Sequence, residues 1–126
     1  MIVGIELAAV MMALDPPKDA YRVVNWIQLH LKYRNMVNGW TCQQIGDECA
    51  TATRPALSRQ RVSSMLGLLE GAGVIQRRER EKATLYTHPQ YIFRGRAREQ
   101  AEAIREWQAY ATGHPLLVAV PDAQAL

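Results

Sequence analysis

Apolar residues recur along much of the chain at three-to-four spacing, and this spacing predicts a mainly helical protein. The first apolar run, MIVGIELAAVMMAL, ends at Pro16-Pro17, where a helix cannot continue. We interpret the run as a helix, although IVGIEL also fits a strand.

A second helix is predicted from Asp19, as its N-cap, to about Met36. Its apolar residues form two stripes on nearly opposite faces. One stripe is Ala20, Val24, Ile27 and Leu31, and the other is Trp26, Leu29, Tyr33 and Met36. The first can pack on the core of its own domain, whereas the second needs a terminal segment or a second subunit. We therefore predict that the second stripe forms a homodimer interface.

The next segment predicts a short helix followed by a break. Asn38-Gly39 is a turn signal, and Thr41 is an N-cap. The inward residues of the short helix are Cys42, Ile45 and Cys49. The segment TATRP then ends the helical pattern, because Pro55 disfavours helical geometry in the residue before it.

A longer helix follows, with Ser58 as its cap and Gly71 and Gly73 at its end. Its inward residues are Val62, Leu66 and Leu69, with Met65 beside them. Two strand candidates come next, Val74–Arg78 and Thr84–His88, and EREKA between them is a hairpin tip. Ile75 and Leu85 are the inward positions of these strands.

The rest of the chain predicts an irregular or extended link, HPQYIFRG, and a helix from about Ala97 to Ala111. The residues that this helix should bury are Ala101, Ile104, Trp107 and Ala111. The tail HPLLVAVPDAQAL fits either a strand or an arm.

Taken in order, a helix, a capped helix, a glycine stop and a hairpin are typical of a winged helix-turn-helix. The predicted fold class is mainly α with a small β-hairpin, with N- and C-terminal helical extensions. We expect a single domain over residues 1–126. It comprises an apolar segment (1–17), a winged-helix core (18–95), and a C-terminal helix and tail (96–126).

Charge is distributed unevenly along the chain, although its overall net charge is only +3. Residues 54–98 hold ten basic residues against three acidic ones, a net charge of +7, so the remainder carries −4. This asymmetry favours a polyanion-binding face over a surface that merely happens to be rich in arginine.

The long capped helix carries the predicted reading surface. If its apolar stripe faces inward, Gln60, Ser64 and Gly67 face outward. Arg59, Gln60 and Arg61 lie in the first turn, where recognition helices meet base edges. Arg can bond O6 and N7 of guanine, and Gln can bond N6 and N7 of adenine. Gly67 either permits close approach to a groove or is simply tolerated in the helix.

Other residues complete the predicted DNA interface. Ser58 leaves backbone N–H groups near a phosphate. The basic hairpin is either a DNA-binding wing or a solvated surface. As a wing, it would supply affinity without sequence discrimination. The predicted DNA-binding residues are Thr41, Gln43, Ser58, Arg59, Gln60, Arg61, Ser63, Ser64, Gly67, Arg77, Arg78, Arg80 and Lys82.

No catalytic or metal-binding pattern is recognisable, so we predict no enzyme, no metal and no cofactor. The three histidines are scattered and neither cysteine forms a CxxC motif. Cys42 and Cys49, about 10 Å apart along one helix, should remain reduced thiols. The N-terminal run is too short for a membrane span and has no preceding basic residue, so we expect a cytoplasmic protein without membrane association.

Residues 40–95 resemble the winged-helix domains of MarR-like regulators and other small bacterial DNA-binding proteins. The similarity lies in TCQQIGDECA and in LSRQRVSSMLGLLEGAGVIQRRER. TLYTHPQYIFRG is similar to the end of that domain in RepL-type plasmid replication proteins, with His88-Pro89 where Asn-Pro is expected. ATATRPA makes the connection between the two helices longer than is usual in this pattern.

These observations lead us to expect sequence-specific binding of double-stranded DNA. We predict a bacterial repressor, encoded by a plasmid or another mobile element, that binds a palindromic operator as a homodimer. The first alternative is a plasmid replication initiator or accessory factor that binds origin repeats. The second is a winged-helix protein-interaction module, in which Arg59, Gln60 and Arg61 would be dispensable.

Overall fold

The computed structural model describes residues 2–3, 5–32, 35–78 and 84–111. Its helices are α1 (Ile5–Leu14), α2 (Lys18–His30), α3 (Cys42–Glu48), α4 (Arg59–Gly71) and α5 (Ala97–Ala111). Its strands are β1 (Ile2–Val3), β2 (Met36–Asn38), β3 (Ile75–Arg77), β4 (Thr84–Thr87) and β5 (Ile92–Phe93). The protein is mainly helical with a small amount of antiparallel sheet, and this part of the prediction is confirmed.

The strands form one three-stranded sheet and one two-stranded sheet. In the first the order is β2-β4-β3 with both pairings antiparallel, and in the second β1 pairs with β5. The two predicted strands are confirmed as β3 and β4, with Ile75 and Leu85 buried. The hairpin tip at residues 79–83 lies outside the described residues. Neither β2 nor the pairing of β1 with β5 was predicted, because strands this short carry no alternation of their own. Ile2 and Val3 of β1 do belong to IVGIEL, for which a strand was the alternative to a helix.

The predicted end of the second helix is wrong, because α2 ends at His30. Leu31 adopts extended backbone, and Asn35 has a left-handed φ of 64°. The Lys32 N–H donates to the Met36 carbonyl at 2.8 Å, and Met36 then enters β2. Pairing of β2 with β4 therefore replaces the last helical turns, and long-range pairing of this kind is invisible to local apolar spacing.

The predicted cap of the same helix is also wrong. The helix begins at Lys18, after Pro17, and no side chain caps it. Asp19 instead lies in the first turn, where a carboxylate suits the positive end of the helix dipole.

The core lies between α2, α3, α4 and the three-stranded sheet, and Leu7 and Met11 of α1 contribute to it. The first predicted stripe of α2 is confirmed as buried. Cys49 is buried and Cys42 is half-buried, and both are free thiols, as expected. Burial raises the pKa of the Cys49 thiol, which makes this residue a poor nucleophile.

One buried polar side chain joins the turn after α2 to the sheets. Asn35 is only 2% exposed, and its Nδ2 donates to the carbonyls of Thr87 at 2.8 Å and Ile92 at 2.9 Å. Its Oδ1 accepts from the Arg94 N–H at 2.9 Å. Both ends of the amide are thus hydrogen-bonded, as a buried amide requires.

The predicted bounds of α5 are confirmed, but its predicted buried face is partly wrong. Trp107 is buried and Ile104 is half-buried, whereas Ala101 and Ala111 are exposed. Polar Gln100 lies on the inner face, where its amide donates to the Pro89 carbonyl at 2.8 Å. A hydrogen-bonded polar residue on the inner face cannot be recognised from apolar spacing.

The contact between α5 and the residue after β4 includes a half-buried histidine. The His88 ring stacks on Tyr91 at 4.3 Å and lies 4.8 Å from the Trp107 ring. Burial lowers the pKa of His88. The Gln90 N–H donates to His88 Nδ1, so this ring is suited to the neutral state.

Within the described residues, no helix is long and apolar enough to cross a membrane.

Candidate nucleic-acid interface

Helix α4 begins and ends where the sequence predicted, for local reasons. Ser58 Oγ accepts from the Arg61 N–H at 3.1 Å, which is an N-cap bond. At the other end Gly73 has a φ of 78°, and the Val74 N–H donates to the Leu69 carbonyl at 2.9 Å. This glycine-terminated arrangement is a Schellman motif, in which a side chain at Gly73 would be strained.

The predicted orientation of α4 is confirmed. Its inward residues are buried, namely Val62, Met65, Leu66 and Leu69. Its outward residues are exposed, namely Arg59, Gln60, Arg61, Ser63, Ser64 and Gly67. Apart from its neighbours and the backbone of α4, no described atom lies within 4 Å of the position that a Cβ on Gly67 would occupy, so packing among the described residues does not require glycine there.

The position of α4 on α3 depends on a close backbone contact at Gly46. The Leu57 N–H donates to the Gly46 carbonyl at 3.0 Å. A Cβ on Gly46 would collide with the Leu57 carbonyl oxygen and would press on Val62. The start of α4 is therefore set by backbone touching backbone, which only glycine permits here.

A single arginine of α2 holds the long connection between α3 and α4. Arg22 Nη2 donates to the carbonyls of Cys49 at 2.8 Å and Pro55 at 2.7 Å. Between these points Thr51 Oγ1 accepts from the Arg54 N–H at 3.0 Å and closes a tight turn. The longer connection thus has its own anchors, which place it directly before the Ser58 cap.

Arg61, one of the predicted reading residues, is paired with α2. Its Nε donates to Asp19 Oδ2 at 2.9 Å, and Asp19 Oδ1 lies 3.4 Å from Arg22 Nη1. The hydrogen bond from Arg61 is the main reason that the pKa of Asp19 lies below its usual value. This pair was not predicted from the sequence, because the two residues are 42 positions apart and belong to different helices.

Arg59 and Gln60 are both exposed, and no hydrogen bond or ion pair with another described residue involves either side chain. In α3 the exposed Thr41 caps the helix by accepting from the Gln44 N–H at 3.0 Å. The exposed Gln43 donates to Asp47 at 3.1 Å. Among the described interface residues, Arg59 and Gln60 therefore present long polar side chains that are free to meet a ligand.

The two described cations of the β3–β4 hairpin, Arg77 and Arg78, are less free than their charge suggests. Arg77 pairs with Glu70 at the end of α4, with Nη2 to Oε1 at 2.7 Å. Arg78 lies over the Tyr86 ring at 3.8 Å and donates to Gln76 at 2.9 Å. Arg80 and Lys82 lie outside the described residues.

The stripe predicted for dimerisation is not one helical face, because Met36 lies outside α2, so that part of the prediction is wrong. Trp26 is buried within its own chain, and its Nε1 donates to Glu48 Oε1 at 2.8 Å. Leu29 is 81% exposed, and Met36 lies in β2. Tyr33 lies outside the described residues. The physical reason is the early end of α2, which breaks the helical register on which the stripe depends.

Comparison with protein-family models, with curated proteins and with solved structures found no match to this chain. Across the part of the chain that the structure describes, no group of three or more His, Cys, Asp or Glu side chains could hold a metal ion. The geometry of α4 and the residues around it therefore carries the information on function.

Proposed function

We propose that this chain is a winged helix-turn-helix protein that binds double-stranded DNA in a sequence-specific manner, with α4 in the major groove. The observation that carries the proposal is the outer face of α4. This face is polar and exposed from the first turn onward, while the opposite face is buried in the core. A major groove is wide enough to admit such a helix.

The order of the elements supports the same reading. The helices and strands follow one another as α2, β2, α3, α4, β3 and β4, and the sheet order is β2-β4-β3. In a winged helix-turn-helix the second helix of the pair reads the groove, and the hairpin after it forms the wing. In the proposed fold, helix α4 would be the reading helix and the β3–β4 hairpin the wing.

The chemistry of the outer face fits base edges. Arg59, Gln60 and Arg61 offer bidentate donors, and Gln60 can also accept. The next outward residues, Ser63, Ser64 and Gly67, are short, so they allow the helix to lie deep in the groove. The ten basic residues between positions 54 and 98 would provide the salt-dependent attraction to phosphates.

We further propose a cytoplasmic repressor that occupies its operator as a homodimer. The resemblance of residues 40–95 to MarR-like regulators supports this role. The exposed apolar side chains of Met12 and Leu29 are surfaces that a second subunit could cover. Two-fold symmetry in the protein would require a palindromic site.

The test is a selection of bound duplexes from a random pool, followed by affinity measurements on the selected sequence. Gln60→Ala should relax the preference at one base pair and weaken binding of the selected site about tenfold, because a good bidentate contact contributes about 1–3 kcal/mol of discrimination. The matched control is Gln90→Ala, the same change at an exposed position in the turn between β4 and β5.

The form of the selected motif separates the candidate roles. A palindrome supports the dimeric repressor, whereas tandem repeats support the replication initiator. Binding only at low salt, with no enriched motif, would reject a base-reading α4 and favour the protein-interaction module.

Gly67→Ala should have opposite effects on stability and on DNA binding. The protein should become more stable by about 0.5–1 kcal/mol, because alanine is the better helix former and the new methyl group meets no described atom beyond its neighbours and the backbone of its own helix. Affinity for the selected duplex should nevertheless fall about tenfold, because the methyl group would stand between the helix backbone and the groove. Urea unfolding and duplex titration measure the two effects. Unchanged affinity would mean that Gly67 is merely tolerated.

A further inference from the structure

A network of hydrogen bonds connects α2 with the beginning of α4 and includes a base-reading candidate. Arg22 binds the connection before α4 through the carbonyls of Cys49 and Pro55. The same guanidinium contacts Asp19, and Asp19 in turn accepts from Arg61 in the first turn of α4. The network therefore fixes a side chain of the proposed reading surface relative to the segment that leads into it.

The geometry of the Arg61 contact leaves its terminal nitrogens available. Only Nε donates to Asp19, and neither Nη1 nor Nη2 has a hydrogen-bond partner among the described residues. The Arg61 side chain is 43% exposed, whereas that of Asp19 is only 24% exposed. The guanidinium is thus held at its inner edge while its outer edge faces solvent.

We propose that Asp19 is a positioning residue for Arg61, which it holds so that Nη1 and Nη2 can donate to O6 and N7 of a guanine. This inference rests on the proposed function. An arginine fixed in advance loses less side-chain entropy when it binds. The planar guanidinium keeps its two outer donors parallel, which suits the two acceptors on the major-groove edge of guanine.

The position of Asp19 is also compatible with a nearby polyanion. Its two carboxylate oxygens face separate arginines, Arg22 at 3.4 Å and Arg61 at 2.9 Å, so its negative charge is matched locally. An unmatched carboxylate at this place would repel phosphates, whereas the matched one can orient Arg61 with little such penalty.

The test repeats the duplex selection with Asp19→Asn and with Arg61→Ala. Both variants should lose preference for guanine at the same single base pair, with about a tenfold loss in the ratio of guanine to adenine. Binding to unrelated duplexes should not weaken in Asp19→Asn, because no phosphate contact is removed and one negative charge is lost. The double variant should lose no more discrimination than Arg61→Ala alone.

The matched control is Glu70→Gln, which changes the net charge by the same amount and separates another arginine, Arg77, from its carboxylate at the far end of α4. This variant should keep the full motif. A uniform loss of affinity for all sequences in Asp19→Asn would instead indicate a structural role for Asp19 in packing α2 against α4, and would overturn the inference.

Failure of the inference can be distinguished from failure of the proposed function. If the wild type selects a motif and Asp19→Asn keeps every position of it, Asp19 does not position Arg61 although α4 reads DNA. If Arg61→Ala keeps the motif, Arg61 reads no base pair, and the inference is likewise overturned although α4 reads DNA. If the wild type selects no motif, the proposed function is wrong, and the proposed role of Asp19 is rejected as well.

Discussion

Asn35→Ala is expected to lower the free energy of unfolding by about 4 kcal/mol, because it removes three hydrogen bonds to backbone groups, two of them buried, and puts alanine in a left-handed conformation. These groups are the carbonyls of Thr87 and Ile92 and the N–H of Arg94. Urea unfolding followed by the fluorescence of the three tryptophans measures the change. A loss below about 1 kcal/mol would show that water replaces the amide at no great cost.

Two further variants separate the causes of this loss. Asn35→Gly removes the same hydrogen bonds but suits the φ of 64°, so it should be about 1 kcal/mol less destabilising than Asn35→Ala. Asn35→Asp keeps the size but directs a carboxylate oxygen at two carbonyls. Burial raises the pKa of such a carboxyl group, so its deficit relative to the wild type should be largest at neutral pH and should shrink as the pH falls toward about 4.

Gly46→Ala is expected to destabilise the protein by about 2–3 kcal/mol, because the new methyl group would collide with the Leu57 carbonyl and there is no flexible side chain to give way. Leu57 directly precedes the Ser58 cap, so relief of the collision must shift the start of α4. Affinity for DNA should therefore fall even at temperatures where the variant remains folded. Thermal unfolding and duplex titration measure the two effects.

The matched control for Gly46→Ala is Gly67→Ala, since both place a methyl group on a helical glycine. The Cβ at position 67 meets no atom within 4 Å, whereas the Cβ at position 46 meets backbone and the Val62 side chain. The two variants should thus change stability in opposite directions. Equal stability of the two would contradict the close contact between α3 and the segment before α4.

Part of the proposed reading surface is set by residues that are close in the sequence, and part by contacts between distant residues. The orientation of Gln60, Ser64 and Gly67 follows from the apolar stripe on the opposite face, so it was predictable from spacing alone. The pairing of Arg61 with Asp19 was not predictable, because nothing near either residue in the sequence indicates the other. The charge count over residues 54–98 also overstated the freedom of Arg77, whose partner Glu70 lies on α4.

The sequence by itself determined the features of this protein that depend on neighbours along the chain. The Thr41 and Ser58 caps, the glycine end of α4, the bounds of α5 and the buried faces of α4 and the first stripe of α2 all depend on residues within about one or two turns. Only the tertiary structure decided where α2 ends, because β2 pairs with β4 about 50 residues away, a separation at which local propensity has no influence. It also decided which arginines of the proposed interface are held and which are free, since ion pairs between distant residues form only after the helices that carry them have packed together.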